Sequence, residues 1–181
     1  KWLETMAEKY GIESDIYRVR VKGEFPKSST NSLFDIEMME NMFNAKRDID
    51  DSSIEVWGQD VARYGDDKSQ LYRRKGYKGR GFIGWEKKDT METASKFTYE
   101  YNAAYIKPDY AFFDTIGVGA GVFDRVCQLG LDQVALEANA SKKATNPIYF
   151  NKRTEMYHNL ADAVKKGFYT NAYEDKINNN L

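Results

Sequence analysis

The stretch that most restricts the fold of this chain is a strand-like run, residues 56–62, that contains an aspartate, Asp60. Successive side chains of a strand point to opposite faces of a sheet, which would place Trp57 and Gln59 on one face and Asp60 on the other. Strands are depleted in aspartate, and a desolvated carboxylate is costly unless a partner neutralises it. Two interpretations are open at this point: Asp60 binds a cation, or it caps the turn before Gly65.

The composition predicts a globular chain of one domain, or of one domain with a fragment of another: 181 residues, 41% hydrophobic and 30% charged. No apolar run approaches the ~18 residues of a membrane span, so we expect no membrane association. The formal net charge is −1, so any nucleic-acid surface must come from local clusters of Lys and Arg. The single Cys127 favours a reducing, intracellular compartment. The chain begins with Lys1 rather than Met, and we expect it to start inside a longer polypeptide.

Hydrophobic periodicity and turn residues predict the elements of the first 50 residues. They are a helix from Lys1 to Tyr10, a strand over 17–22, a linker over 27–32, and a helix capped within 32–35 and ending near Ala45. The acidic stretch 48–53 reads as an exposed link. We place a domain boundary there, which divides the chain into 1–50 and 51–181.

Beyond that boundary, three strands are followed by alternating helices and strands. The predicted strands are 56–62, 69–74, 81–86, 110–114 and 133–136, and the predicted helices are 90–106, a segment between Gly121 and Gly130, and 151–166. Turn residues from Gly76 to Gly79 would join the second and third strands as a hairpin. This order favours an α/β fold with a mixed β-sheet, partly parallel and flanked by α-helices.

Two of the predicted strands end in an aspartate, Asp60 and Asp114. In a mixed sheet these strands can be neighbours, and ligands collect beyond strand ends. Two adjacent carboxylates repel, so either one is protonated or a divalent cation neutralises both. Oxygen ligands favour Mg²⁺ or Mn²⁺, and Asp66 would extend the cluster. The alternative is that Asp114 only caps the glycine-rich loop that follows it.

That loop, with Gly117, Gly119 and Gly121, follows a strand and opens a helix as a dinucleotide-binding turn would. The pattern fails at Val122, where such a turn needs Gly or Ala. The sequence contains no GxxxxGK[ST] phosphate loop, so we expect no ATP site in this segment.

Basic residues cluster at the predicted hairpin: Arg73, Arg74, Lys75, Lys78 and Arg80. With aromatic residues between them, they are a candidate surface for a nucleic-acid backbone. A solvated hairpin tip is an equally good interpretation. His158 has no metal-ligand neighbours in its predicted helix, and we expect it to be structural. Asp162 would lie on a solvated face of the same helix.

Four stretches occur in the order found in the large subunit of tailed-phage terminases, and the chain is similar to that family over most of its length. They are Tyr17 to Pro26 (YRVRVKGEFP), Gly58 to Asp67 (GQDVARYGDD), Asp114 to Arg125 (DTIGVGAGVFDR) and Asn151 to Met156 (NKRTEM). The resemblance implies an RNase H-like nuclease domain over 51–181 that cuts concatemeric double-stranded viral DNA during genome packaging. It implies that residues 1–50 are the C-terminal tail of an ATPase domain and a linker.

The resemblance also implies roles for individual residues. Asp60 matches the first-strand metal ligand, Asp114 the fourth-strand ligand, and Asp66 an auxiliary acidic position. These would hold two Mg²⁺ or Mn²⁺ ions for two-metal phosphodiester hydrolysis. The family's third acid lies on a later helix, in a stretch that this chain lacks up to Leu181, so we expect the segment alone to cut poorly. Implied partners are the portal protein and the terminase small subunit, and the implied location is the host bacterial cytoplasm.

Two other classes of function stay open. A non-catalytic module would bind DNA or the portal through the basic hairpin, and its acidic residues would only stabilise turns. Another RNase H-like enzyme, such as a junction resolvase or transposase core, would use the same acids. Residues 17–26 favour the terminase, because they resemble a domain junction of that family.

Overall fold

Six strands form one mixed sheet in the computed structural model, which describes residues 2–24, 32–44, 52–62, 67–86 and 88–170. The elements in chain order are α1 (Trp2–Tyr10), α2 (Asp15–Tyr17), a π-helical segment (Arg18–Lys22), α3 (Ile36–Asn44), β1 (Glu55–Asp60), β2 (Ser69–Lys75), β3 (Lys78–Trp85), α4 (Thr90–Ala103), β4 (Tyr110–Asp114), α5 (Gly119–Val126), a second π-helical segment (Cys127–Leu131), β5 (Ala135–Ala138), α6 (Lys152–Lys165) and β6 (Tyr169–Thr170).

The strand order is β5-β4-β1-β2-β3-β6. The first three strands are antiparallel neighbours, as the predicted hairpin requires. Three pairs are parallel: β1 with β4, β4 with β5, and β3 with β6. The predicted α/β class with a mixed, partly parallel sheet is therefore confirmed.

Helices α4 and α5 cover one face of the sheet and form its core. Alternation along β1 and β4 points Trp57 and Phe113 toward these helices, where both are almost fully buried. Phe97 of α4 packs edge-on against both rings, at centroid distances of 5.9 Å to Trp57 and 4.7 Å to Phe113. Val122 of α5 is completely buried beside them. This aromatic core fixes the position and orientation of β1 and β4 relative to the helices. The two aspartates lie at the ends of these strands.

The two longest helices begin at side-chain caps. Asp89 accepts from the backbone N–H of Glu92 while the Glu92 side chain accepts from the N–H of Asp89, a complete capping box for α4. Asn151 accepts from the N–H of Thr154 and starts α6. The predicted helices at 90–106 and 151–166 are confirmed, although α4 ends earlier, at Ala103.

The predicted strand over 17–22 is wrong. The Ser14 side chain accepts from the N–H of Tyr17, which turns the chain into a short helix that continues as the π-helical segment. Among the described residues, no strand pairs with this segment, and Val19 is half exposed. The alternation of apolar and basic residues predicts a strand, but a strand forms only when a neighbouring strand pairs with it.

Two further differences lie near the C-terminal end of the described chain. Strand β5 begins at Ala135 rather than at residue 133, because Val134 donates to the Leu131 carbonyl in a turn that ends the preceding helix. The helical spacing of the apolar residues in 151–166 predicts that Met156 and Leu160 face inward, and this is wrong, because they are 43% and 41% exposed. The buried positions of α6 include Ala161 instead.

Strand β6 is not predicted by the sequence, because it is only two residues long. Tyr72 of β2 donates its hydroxyl hydrogen bond to Thr170 of β6 at 3.2 Å, across the intervening β3. Burial raises the pKa of the Tyr72 hydroxyl, against the smaller opposing effects of Thr170 and Arg74. A partly buried hydrogen bond thus helps to hold the edge strand in the sheet.

The linker predicted over 27–32 and the acidic link predicted over 48–53 fall mostly outside the described residues. The helix predicted between them is α3, and Asp35 caps it by accepting from the N–H of Met38. In the part of the chain that the structure describes, no helix has the length and apolar character needed to cross a membrane.

Candidate metal centre

Asp60 and Asp114 end two adjacent parallel strands. Val56 pairs with Tyr110 and Gln59 with Phe113, so the same register places Asp60 level with Asp114. Residues level on neighbouring strands share a face, and the strands lie about 4.8 Å apart. The two carboxylates therefore lie side by side at the C-terminal ends of β1 and β4, on the face of the sheet opposite α4 and α5. Asp60 is exposed and Asp114 is half-buried.

The backbone on both sides of Asp60 is fixed to β2 by buried polar side chains. Gln59 is 3% exposed, and its amide donates to the carbonyl oxygens of Asp60 at 2.7 Å and Gln70 at 3.2 Å. Ser69 is 2% exposed, and its hydroxyl accepts from the N–H of Ala62 and donates to the Ala62 carbonyl. Among the described residues, the Asp60 carboxylate itself has no hydrogen bond or ion pair.

Asp114 is held by the loop that follows it. Its Oδ1 atom accepts from the N–H of Ile116 at 2.9 Å, the turn-capping contact that the sequence left as an alternative. Gly119 approaches so closely that a β-carbon there would lie 1.8 Å from the Asp114 carbonyl oxygen. The capping bond uses one carboxylate oxygen, so the cap and a metal ligand are compatible roles for this residue.

Asp66, the predicted auxiliary acid, lies outside the described residues. Within the described ranges, no group of three or more His, Cys, Asp or Glu side chains is arranged to hold a metal ion. The described part of the site is thus a pair of carboxylates. The fit to a divalent cation rests on that pair. The two carboxylates supply anionic oxygen donors at the same level of adjacent strands, and no basic side chain among the described residues forms an ion pair with Asp60.

The structure separates the five basic residues of the hairpin. Lys75 is 8% exposed, and the Lys78 ammonium lies 5.8 Å from the centre of the Tyr169 ring. Arg74 donates to the Gly76 carbonyl, and Arg80 forms an ion pair with buried Glu55. Arg73 points to the face of α4, because it pairs with Trp57 in the β1–β2 register. The cluster in sequence is therefore not one continuous basic surface.

Two residues that the sequence set aside are placed as expected. His158 packs against the Tyr149 ring at 5.0 Å, a structural contact, and Asp162 is exposed on α6. The supporting residues Gln59 and Ser69 were missed. A signal for Gln59 was present, since it is a polar residue on the apolar face of the strand next to the predicted ligand.

Comparison with known proteins finds likeness at the level of structure. No protein-family model matches the sequence, and no curated protein matches it. The variant nuclease domain of the large terminase subunit gp2 of bacterial virus Sf6, solved with manganese and β-thujaplicinol, superposes with a TM-score of 0.58 at 19% identity. The match covers 76% of this chain and 66% of that domain, so this chain spans about two thirds of it.

The large terminase nuclease from thermophilic phage G20c gives similar results. With bound cobalt its TM-score is 0.56 at 14% identity, covering 79% of this chain and 74% of that one. With bound magnesium the TM-score is 0.55 at 14% identity, covering 79% and 75%. The predicted fold class is confirmed: this chain has the RNase H-like α/β fold seen in the nuclease domains of phage large terminase subunits.

Proposed function

We propose that this chain is the divalent-metal-dependent DNA endonuclease domain of a tailed-phage terminase large subunit, which cuts concatemeric double-stranded viral DNA during packaging. The observation that carries the proposal is the level placement of Asp60 and Asp114 at the ends of adjacent parallel strands. That placement occurs in a sheet whose fold matches solved nuclease domains of such subunits.

Asp60 and Asp114 are the proposed ligands, with Asp66 as an auxiliary one. Carboxylate oxygens suit Mg²⁺ or Mn²⁺, and the proposal involves two ions. When bound, such ions supply the positive charge that activates water and stabilises the leaving 3′ oxygen of a phosphodiester. The residues of this chain contribute by positioning the two carboxylates. The aromatic core sets the height of both strands, while Gln59 and Ser69 fix the backbone around Asp60.

The proposed substrate is bound through its phosphates rather than its bases, so sequence preference is weak. Of the hairpin residues, Arg74 lies on the same face of the sheet as Asp60, because Arg74 pairs with Val56 in the regular β1–β2 register. We propose the Arg74 side of the hairpin as the DNA-contacting part. The portal protein and the terminase small subunit are the proposed protein partners, and the host cytoplasm is the proposed location.

A titration with Mn²⁺ tests the proposal. Asp60→Asn and Asp114→Asn each remove one anionic donor at nearly constant volume, and each should weaken Mn²⁺ binding at least tenfold. Asp162→Asn is the matched control, because Asp162 is an exposed acid on α6 rather than at the end of a strand. Any Mn²⁺-dependent nicking of supercoiled plasmid should disappear in the two strand variants and persist in the control. Unchanged Mn²⁺ affinity in Asp60→Asn would overturn the proposal.

A docking module without catalysis is the second candidate, and one observation favours it: the Asp114 carboxylate caps the turn at Ile116. In that case Asp114→Ala, which removes the capping oxygen, should lower the stability of the fold, while neither Asp60→Asn nor Asp114→Asn changes Mn²⁺ affinity. The same titration, paired with urea unfolding of each variant, therefore separates the two functions.

A further inference from the structure

A cavity of about 290 Å³ opens at the end of the sheet opposite the two aspartates. It lies between the start of β1, the middle of the β2–β3 pair and the segment that follows α4. Its principal lining side chains are those of Glu55, Trp57, Arg73, Arg80 and Tyr105. Glu55 and Asp60 are the first and last residues of β1, so the Glu55 end of the cavity lies roughly 17 Å from the proposed metal centre, at about 3.3 Å per strand residue.

A β-bulge brings the two arginines to this cavity. Tyr72 pairs with Phe82 and Arg74 with Gly79, so Arg73 alone faces two residues of β3, Arg80 and Gly81. Gly81 has a φ of 89°, a left-handed conformation that a glycine adopts readily. The extra residue turns Arg80 to the same side of the sheet as Arg73. Two like charges opposite each other in a sheet repel, so this arrangement is unfavourable without a counter-charge.

Among the described residues, the counter-charge at this cavity is incomplete. Glu55 is 2% exposed, and its two carboxylate oxygens accept from Trp57 Nε1 at 3.0 Å and from Arg80 Nη1 at 3.1 Å. This single carboxylate compensates one guanidinium. The Nε atom of Arg73 is buried and has no hydrogen-bond partner among the described residues. Buried polar groups are normally paired, so an unpaired guanidinium nitrogen beside a cavity indicates a missing acceptor.

We propose that this cavity is a phosphate-binding site, in which Arg73 and Arg80 bind a phosphate oxyanion. The planar fork of a guanidinium matches two phosphate oxygens, and Glu55 orients one of the two forks. The Tyr105 side chain, fully exposed where it lines the cavity, gives a flat aromatic surface for a sugar or base attached to that phosphate. The site is separate from the proposed nuclease centre and does not depend on it.

Calorimetric titration with inorganic phosphate, at constant ionic strength with chloride as the reference anion, tests this site. The wild-type chain should bind phosphate, and Arg73→Met, which keeps the apolar stem, should bind it at least tenfold more weakly. Arg73→Lys keeps the charge without the fork and should fall between the two. Arg153→Met is the control, since Arg153 is exposed on α6, and its phosphate affinity should equal that of the wild type.

The fold itself provides a second readout. Because Arg73 Nε has no hydrogen-bond partner within the described part of the chain, Arg73→Met should melt in chloride no lower than the wild type, and phosphate should raise the melting temperature of the wild type only. Equal phosphate affinity in the wild type and Arg73→Met, or no phosphate binding by the wild type, would overturn the proposal. Arg73→Met should retain wild-type Mn²⁺ affinity, so failure of this site and failure of the nuclease centre are distinguishable.

Competition identifies the source of the phosphate. The competitors are a short DNA duplex with 5′-phosphates and the same duplex without them. If only the phosphorylated duplex displaces inorganic phosphate, the site binds nucleic-acid ends. If neither duplex competes while Arg73-dependent phosphate binding persists, the site serves a free phosphate compound. Both results support the cavity as a phosphate site and differ only in its source.

Discussion

Gly119 lies against the backbone of Asp114 so closely that a β-carbon at residue 119 would stand 1.8 Å from the Asp114 carbonyl oxygen. No side chain fits at that distance, so the end of β4 and the start of α5 can meet only if residue 119 is glycine. The contact fixes the proposed ligand Asp114 from its backbone side, while Ile116 holds its carboxylate.

Gly119→Ala should therefore displace Asp114, lower the stability of the fold and weaken Mn²⁺ binding at least tenfold. Gly121→Ala is the matched control in the same helix, because its nearest atom, Thr90 Cγ2, would be 3.9 Å away. The control should be neutral or stabilising by up to about 1 kcal/mol, since Ala favours a helix over Gly. Urea unfolding and Mn²⁺ titration of both variants check this, and equal behaviour of the two would contradict it.

Ser69 is predicted to stabilise the segment that follows Asp60. Ser69→Ala leaves the N–H and the carbonyl of Ala62 without the hydroxyl that serves both, at a cost of about 1–3 kcal/mol in the free energy of unfolding. Ser95→Ala is the control, because the Ser95 hydroxyl is exposed on α4 and bonds only to the Met91 carbonyl. It should change the unfolding free energy by less than about 0.5 kcal/mol. Similar losses in the two variants would refute this role.

Glu155 is predicted to make the loop before α6 sensitive to acid. Its carboxylate accepts from Lys152 Nζ and from the N–H groups of Thr145 and Asn146. The Lys152 hydrogen bond, followed by the Thr145 N–H, lowers the pKa of Glu155 below 4.5. A lowered pKa contributes stability that is present above the unfolded-state pKa and is lost as the pH falls through the folded-state pKa.

Glu155→Gln should thus destabilise the protein at pH 7 and flatten the loss of stability below pH 4.5, as measured by thermal unfolding across pH. Glu137→Gln is the comparison, since Glu137 pairs with Lys142 at an exposed site where ion pairs contribute little. If the acid dependence of Glu155→Gln follows the wild type, the loop is not held by this carboxylate.

Much of the fold follows from short-range patterns. The alternating pattern of β1, the apolar run of β4, the turn at Gly76 and the capping residues Asp89 and Asn151 each act within a few residues, so the sequence predicts these elements. The placement of Asp60 beside Asp114 was also predictable, because adjacent parallel strands in an α/β sheet bring their ends together.

Features that depend on distant partners were not predictable. The alternation over 17–22 favoured a strand, but a strand forms only with a neighbour, and the Ser14 cap favours a helix instead. The basic residues of the hairpin are compatible with one nucleic-acid surface or with a solvated tip, and the sequence pattern does not reveal that the bulge at Gly81 sends Arg80 to the side of buried Glu55. Pairing across a sheet decides where such side chains point, and local patterns in the sequence do not reveal that pairing.

The most direct test of the proposed nuclease centre is a crystal structure of this chain soaked in Mn²⁺ and measured at the manganese absorption edge. We predict an anomalous peak between the carboxylates of Asp60 and Asp114, and its loss in Asp60→Asn crystals soaked in the same way. Wild-type crystals with no anomalous peak between these two carboxylates, or with peaks only elsewhere, would contradict the assignment of a metal centre to the ends of β1 and β4.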